Sequence, residues 1–147
     1  MTKKRPLGDI AGRFFFCYHI TRGDNVYIYY QENPCGKENG DCVIRAISIA
    51  TGKEWYQVYA GLCIQGRFEC GFGNFNEIWS NYLQYLGFRR FGLPYNPTYT
   101  VADFARDNPR GTFVLGTGSH AVAVIDGNYI DSWNSGGEIP RYYFVKE

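Results

Sequence analysis

The sequence predicts an α+β fold, helices first and an antiparallel sheet after them. Two observations carry this. Between Cys42 and Leu86 the apolar residues recur at helical spacing, and beyond Thr112 they gather in short runs separated by turn residues. Helices that precede a group of hairpin-linked strands define the α+β class.

Taken in order, residues 1–13 read as a flexible tail or loosely packed lead-in. Phe14 to Tyr18 and Val26 to Tyr30 read as the two strands of a hairpin around Arg22-Gly23-Asp24-Asn25. Glu32 to Gly40 is rich in Asn, Pro and Gly and reads as loop. A helix follows from about Cys42 to Ala50, with Asp41 or Asn39 as cap and Gly52 as stop. A second runs from about Lys53 to Cys63, with Trp55, Val58, Tyr59 and Leu62 at helical spacing. Gly66 to Gly73 reads as a glycine-rich loop. Asn74 or Asn76 opens a third helix, with Ile78, Tyr82, Leu83 and Leu86 on one stripe and Gly87 as its stop. Thr100-Val101-Ala102-Asp103 is a capping signal for a short helix ending near Asp107. The strand candidates are Thr112 to Thr117, His120 to Ile125, Tyr129 to Trp133 and Tyr142 to Val145. Gly118, Asp126-Gly127-Asn128 and Ser135-Gly136-Gly137 link them.

The chain has 147 residues, enough for a single domain spanning 1–147 with a real core. A formal charge of +1 gives no field that argues for nucleic acid or an anionic membrane. No apolar run approaches the ~20 residues of a membrane span, and the N-terminus lacks the order of a signal peptide. A soluble, cytoplasmic protein is expected. The five cysteines are odd in number and contain no Cys-x-x-Cys, which favours free thiols over a disulfide framework or a zinc knuckle. No cofactor or metal is expected. The 13 Tyr, 11 Phe and 3 Trp fit an aromatic core with tyrosines on half-buried strands. They also fit a cleft or partner surface lined by tyrosine.

Three short segments carry chemistry. In Asn39-Gly40-Asp41-Cys42-Val43-Ile44, a cysteine stands where a polar loop turns into an apolar helix. The first helical turn has free N–H groups and partial positive charge, which stabilise a thiolate. The same N–H groups can face the oxyanion of a tetrahedral intermediate, and Asn39 can add a donor. In Gly118-Ser119-His120-Ala121, one of only two histidines begins an apolar strand. The other, His19, has no acidic neighbour in sequence. In Tyr129-Ile130-Asp131-Ser132-Trp133, strand parity makes Asp131 the partner of His120. A two-residue turn at Gly127-Asn128 or at Asp126-Gly127 places even residues of the first strand with odd residues of the second. His120 and Asp131 then share a side, and in the second register they are diagonal neighbours. A carboxylate on one ring nitrogen leaves the other for the thiol. Trp133 shares that side and can shield the pair from water.

The order Cys42, His120, Asp131 resembles the papain-like cysteine peptidase superfamily. There the cysteine opens a long helix, and the histidine and its Asn or Asp partner lie on the following sheet. Asp131-Ser132-Trp133 resembles the Asn-Ser-Trp of papain. Asn39-Gly40-Asp41-Cys42 with Arg45-Ala46-Ile47 is similar to the Asp-Gly-Asn-Cys motif of ovarian-tumour-type deubiquitinases and the helix after it. In those enzymes the residue three before the cysteine helps to form the oxyanion hole, which the resemblance assigns here to Asn39. Papain's Cys-Gly-Ser-Cys-Trp is absent, Gly36 stands where papain has glutamine, and most of papain's second lobe is missing. The resemblance therefore implies a minimal papain-like core of the kind also found in small bacterial and bacteriophage proteins. Its implied activity is thiol-dependent hydrolysis of a protein or peptide substrate through an acyl-enzyme, by a peptidase, isopeptidase or amidase, or acyl transfer. The competing expectation is an inactive papain-like module that binds through an aromatic surface.

Overall fold

The computed structural model describes residues 26–147, so the expected tail and the first arm of the N-terminal hairpin lie outside the described residues. The chain order is β1 (Tyr27–Tyr29), α1 (Cys42–Thr51), α2 (Trp55–Glu69), α3 (Asn76–Tyr85), β2 (Phe88–Gly92), α4 (Val101–Asp107), β3 (Thr112–Gly116), β4 (Ala121–Ile125), β5 (Asn128–Asp131) and β6 (Tyr142–Lys146). The α+β class holds, with one correction: the six-stranded sheet is mixed. Its order is β1-β5-β4-β3-β6-β2, antiparallel throughout except that β1 runs parallel to β5. Val26 to Tyr30 thus supplies a parallel edge strand, with Tyr29 opposite Asp131.

Local chemistry explains most boundaries. α1 ends at Gly52, whose φ of +73° favours glycine and whose N–H closes on Ser48 O at 2.9 Å. α2 begins when Gln57 Oε1 accepts the Glu54 N–H at 2.9 Å, and α4 when Thr100 Oγ1 accepts the Asp103 N–H at 3.2 Å. α2 also runs past its expected end, through the start of the glycine-rich segment, to Glu69. Gly66 is helical and buried because a Cβ there would collide with the Gly71 carbonyl oxygen. That glycine serves a close backbone approach and does not break the helix. The β4–β5 hairpin turns at Asp126 and Gly127, both with positive φ, which is the type I′ geometry that Asp-Gly favours. Its register pairs Ile125 with Asn128, the second of the two expected.

Helices cover both faces of the sheet. On one face α1, α2 and α3 bury Ile47, Val58, Trp79 and Leu83 against Val114 and Phe144. On the other, α4 buries Val101 and Phe104 against Phe113, Leu115, Val122 and Val124. The alternation along β3, with Val114 on one side and Phe113 and Leu115 on the other, is the period-two pattern of a doubly covered strand. β2 was not expected from the sequence. It lies on the edge of the sheet, pairs along its whole length with β6, and buries only Phe88. Arg89 and Arg90 give it the charged character that protects edges and that hides strand pattern.

Candidate functional site

The N-terminus of α1, the segment 117–120 and the end of β5 meet at one place. Cys42 is the first residue of α1, half-buried, with its first-turn N–H groups free of helical acceptors. The tight turn Thr117–His120 presents the imidazole. Thr117 N donates to His120 O at 2.9 Å, and Thr117 Oγ1 accepts the His120 N–H at 3.1 Å. His120 Nε2 lies 2.5 Å from Asp131 Oδ2. The His120 side chain and Cys42 border the same cleft, and each shifts the acidity of the other. Because Nε2 is engaged by Asp131, Nδ1 is the nitrogen left for the thiol. Three side chains from distant parts of the chain thus converge on one place.

Strand parity correctly paired His120 with Asp131, although the β4–β5 ladder stops at Ala123 opposite Ile130, before either side chain is reached. Regular pleating would carry both toward the α4 side with Val122 and Tyr129. At the strand ends the backbone leaves the ladder, and the pair meets α1 instead.

Asp131 is 3% exposed, and its carboxylate is saturated with donors. Ser135 Oγ donates to Oδ2 at 2.7 Å and the Ser132 N–H to Oδ1 at 2.8 Å. Arg45 Nη2 stands 3.6 Å from Oδ1. Arg45 is itself buried and pairs through Nη1 with Asp41 Oδ1, four residues earlier at the cap position before α1. Asp41 Oδ2 accepts from Asn33 Nδ2 and from Trp55 Nε1, both at 2.9 Å. Asp41 therefore does not cap α1 with its side chain; it anchors Arg45, and Arg45 ties α1 to the carboxylate behind the histidine. Nothing in the sequence marks Ser135, Asn33 and Trp55 as parts of the site, or Arg45 as the partner of Asp131. Only the Asp41–Arg45 pair left a signal, opposite charges at i,i+4 just where the apolar helix begins.

The electrostatics follow from these contacts. Burial pushes the Cys42 thiol up, but the His120 hydrogen bond, the Ala121 N–H and the positive charges of His120 and Arg45 together bring it below its ordinary value of 9.0. Burial pushes His120 down, yet its bonds to Asp131 and Cys42 and their negative charge raise it from 6.5 to about 9. Both changes favour a thiolate–imidazolium pair. The indole of Trp133 stacks at a tilt on the imidazole, ring centroids 4.8 Å apart, while remaining 40% exposed. It screens one side of the ring, as its sequence position suggested.

An open cleft of about 280 Å³ gives access to this point, bordered by Cys42, Asn76, Trp79, Ser119, His120 and Tyr142. Asn39 is exposed and is not among the residues lining the cleft. Gly40, whose φ is positive, separates it from the helix. A second pocket of about 240 Å³ adjoins the cleft through Gly40, Val43 and Asn74 and is lined by Ile44, Tyr59, Leu62 and Phe72. Among the described residues no group of three or more His, Cys, Asp or Glu is placed to hold a metal, and no helix is long and apolar enough to cross a membrane. No family model matches the chain, and neither the curated proteins nor the solved structures include a match to it.

Proposed function

We propose that this protein is a papain-like cysteine hydrolase whose nucleophile is Cys42, whose acid–base group is His120 and whose orienting carboxylate is Asp131. One observation carries the reading: the cysteine at the mouth of α1 borders an open cleft together with an imidazole that is held from behind by a buried carboxylate. The lowered thiol and raised imidazole support it, since a cysteine nucleophile acts as the thiolate.

The chemistry proceeds as follows. The Cys42 thiolate attacks the carbonyl carbon of an amide, and the π pair moves onto the carbonyl oxygen. N–H groups at the mouth of α1 face that oxygen. The intermediate collapses, the carbon–nitrogen bond breaks, and His120 Nδ1–H gives its proton to the departing amine. A water molecule, deprotonated by His120, then releases the acyl group and regenerates the thiol. Asp131 keeps the ring oriented through Nε2 and favours its charged form. The apolar pocket beside the cleft is suited to an apolar side chain of a peptide acyl donor.

Exposed aromatic residues favour a second reading, a catalytically silent binding module. Tyr56, Tyr59, Phe68, Phe72 and Phe75 stand between 50% and 79% exposed on α2 and the loop after it. One experiment separates the two. The chain is treated with limiting iodoacetamide at pH 6 and the adducts are located by mass spectrometry. The hydrolase reading expects Cys42 to react well ahead of the exposed Cys35, Cys63 and Cys70. Equal labelling of all of them would remove it.

A further inference from the structure

We propose that Asn76 is a catalytic residue of this site: its side-chain amide, together with the Cys42 backbone N–H, donates to the carbonyl oxygen of the acyl donor as negative charge develops there. The inference rests on the hydrolase reading and adds to it a donor that neither the sequence motif nor the resemblance indicated.

The hydrogen bonds of Asn76 leave its amide nitrogen unused. Asn76 opens α3 and borders the same cleft as Cys42 and His120. Trp79 Nε1 lies 3.2 Å from its Oδ1, and Tyr142 Oη lies 3.3 Å from the same atom. An indole N–H only donates, so the atom it meets must be the amide oxygen and the amide cannot be turned the other way. Trp79 is 2% exposed and Tyr142 is 9% exposed, so both anchors are fixed in the core. The oxygen thus has both its donors supplied by buried side chains. The NH₂ group, with two N–H donors, has no protein acceptor among the described hydrogen bonds, and Asn76 is exposed at the cleft. A preoriented, unused donor on the border of a cleft that holds the nucleophile is what stabilisation of an oxyanion requires.

Placement of the second donor fits as well. The Cys42 N–H is in the first turn of α1, where no helical carbonyl is available to it. When sulfur bonds to the carbonyl carbon, the π pair becomes a lone pair on oxygen. The two N–H groups bind that oxygen, and they give up the charge again when the carbon–oxygen double bond re-forms and the leaving group departs. Asn39, which the motif suggested for this duty, lies outside the cleft lining.

The test uses the intact chain and two probes, p-nitrophenyl acetate for acylation and iodoacetamide for thiolate reactivity. Alkylation displaces iodide and forms no oxyanion, so it reports the thiolate alone. In Asn76→Ala, acylation of Cys42 should slow about 10²–10³-fold, the usual cost of one oxyanion donor. Alkylation of Cys42 at pH 6 should stay within about threefold of the parent. Asn76→Asp keeps an oxygen for Trp79 and Tyr142, so it guards against a folding defect, and it should lose acylation at least as severely. Acylation of Asn76→Ala near the parental rate, with alkylation retained, overturns the role of Asn76 alone. Alkylation falling in parallel with acylation overturns it too, because the residue would then act on the thiol. If the parent chain is neither acylated nor preferentially alkylated at Cys42, the hydrolase reading fails and this inference with it.

Discussion

Asp131→Asn removes one negative charge while leaving a side chain of the same size behind His120. In the parent, the rise of His120 from 6.5 to about 9 amounts to roughly 3 kcal/mol of preference for the charged ring, at ~1.36 kcal/mol for each tenfold change in acidity. Burial works against that preference, and Asp131 supplies more of it than Cys42 does. Loss of the carboxylate charge should therefore remove about 2 kcal/mol and lower the His120 pKa by more than one unit. The thiolate depends on the imidazolium, so alkylation of Cys42 at pH 6 should slow about tenfold or more. Two measurements check this: the titration of the His120 C2 proton by NMR, in a chain with only two histidines, and the site-resolved rate of iodoacetamide labelling. If His120 still titrates near 9 in Asp131→Asn and Cys42 reacts at the parental rate, the carboxylate does not hold the ion pair.

Further expectations follow from the same contacts. Cys42→Ala should abolish acylation by p-nitrophenyl acetate and leave thermal unfolding within a few degrees of the parent, because alanine suits the first turn of α1; retained acylation would refute the mechanism. Arg45→Met leaves the buried Asp41 carboxylate without its cation and should cost about 3–5 kcal/mol, read as a lower urea midpoint, whereas an unchanged midpoint would mean that the pair contributes nothing. His120 binds its proton more tightly in the folded than in the unfolded chain. Its contribution to stability is therefore complete below about 6.5 and is lost as pH rises toward about 9. In Cys42→Ala, where no thiol titrates against it, the free energy of urea unfolding should fall between pH 6 and pH 9, and a flat or rising profile would contradict the assignment. Gly66→Ala forces a Cβ onto the Gly71 carbonyl oxygen, a backbone atom that cannot swing away, and should lower the melting temperature measurably, by several degrees.

Much of the arrangement could be read before any coordinates. Apolar spacing located α1 and α3, Thr100 and Asp103 marked the start of α4, and Asp126-Gly127-Asn128 marked the β4–β5 link with two registers open, because each of these signals is local. Hairpin parity put His120 and Asp131 on one side, but the ladder ends before either residue, and they meet where the backbone has left it. What escaped has a long-range cause. The parallel seat of β1 depends on an open edge of β5 more than a hundred residues away. The glycine at position 66 looked like a helix breaker, and its true reason is the approach of Gly71. Arg45 and Ser135 are ordinary in sequence and become parts of the site only when α1 and the β5 end are brought together. Asn76 escaped for the same reason: the residues that orient its amide are Trp79, one turn on, and Tyr142, in the last strand.

The chain of buried charges from Asp41 through Arg45 to Asp131 also bears on when the sulfur becomes reactive. Residue 42 is synthesised long before residues 120–135 exist to face it. Until the hairpin of β4 and β5 docks on the first helix, the cysteine lacks the His120 imidazole, Arg45 lacks its second carboxylate, and the helix end is what acts on the sulfur. On the hydrolase reading, a nascent or half-folded polypeptide should therefore be chemically quiet until the sheet is complete.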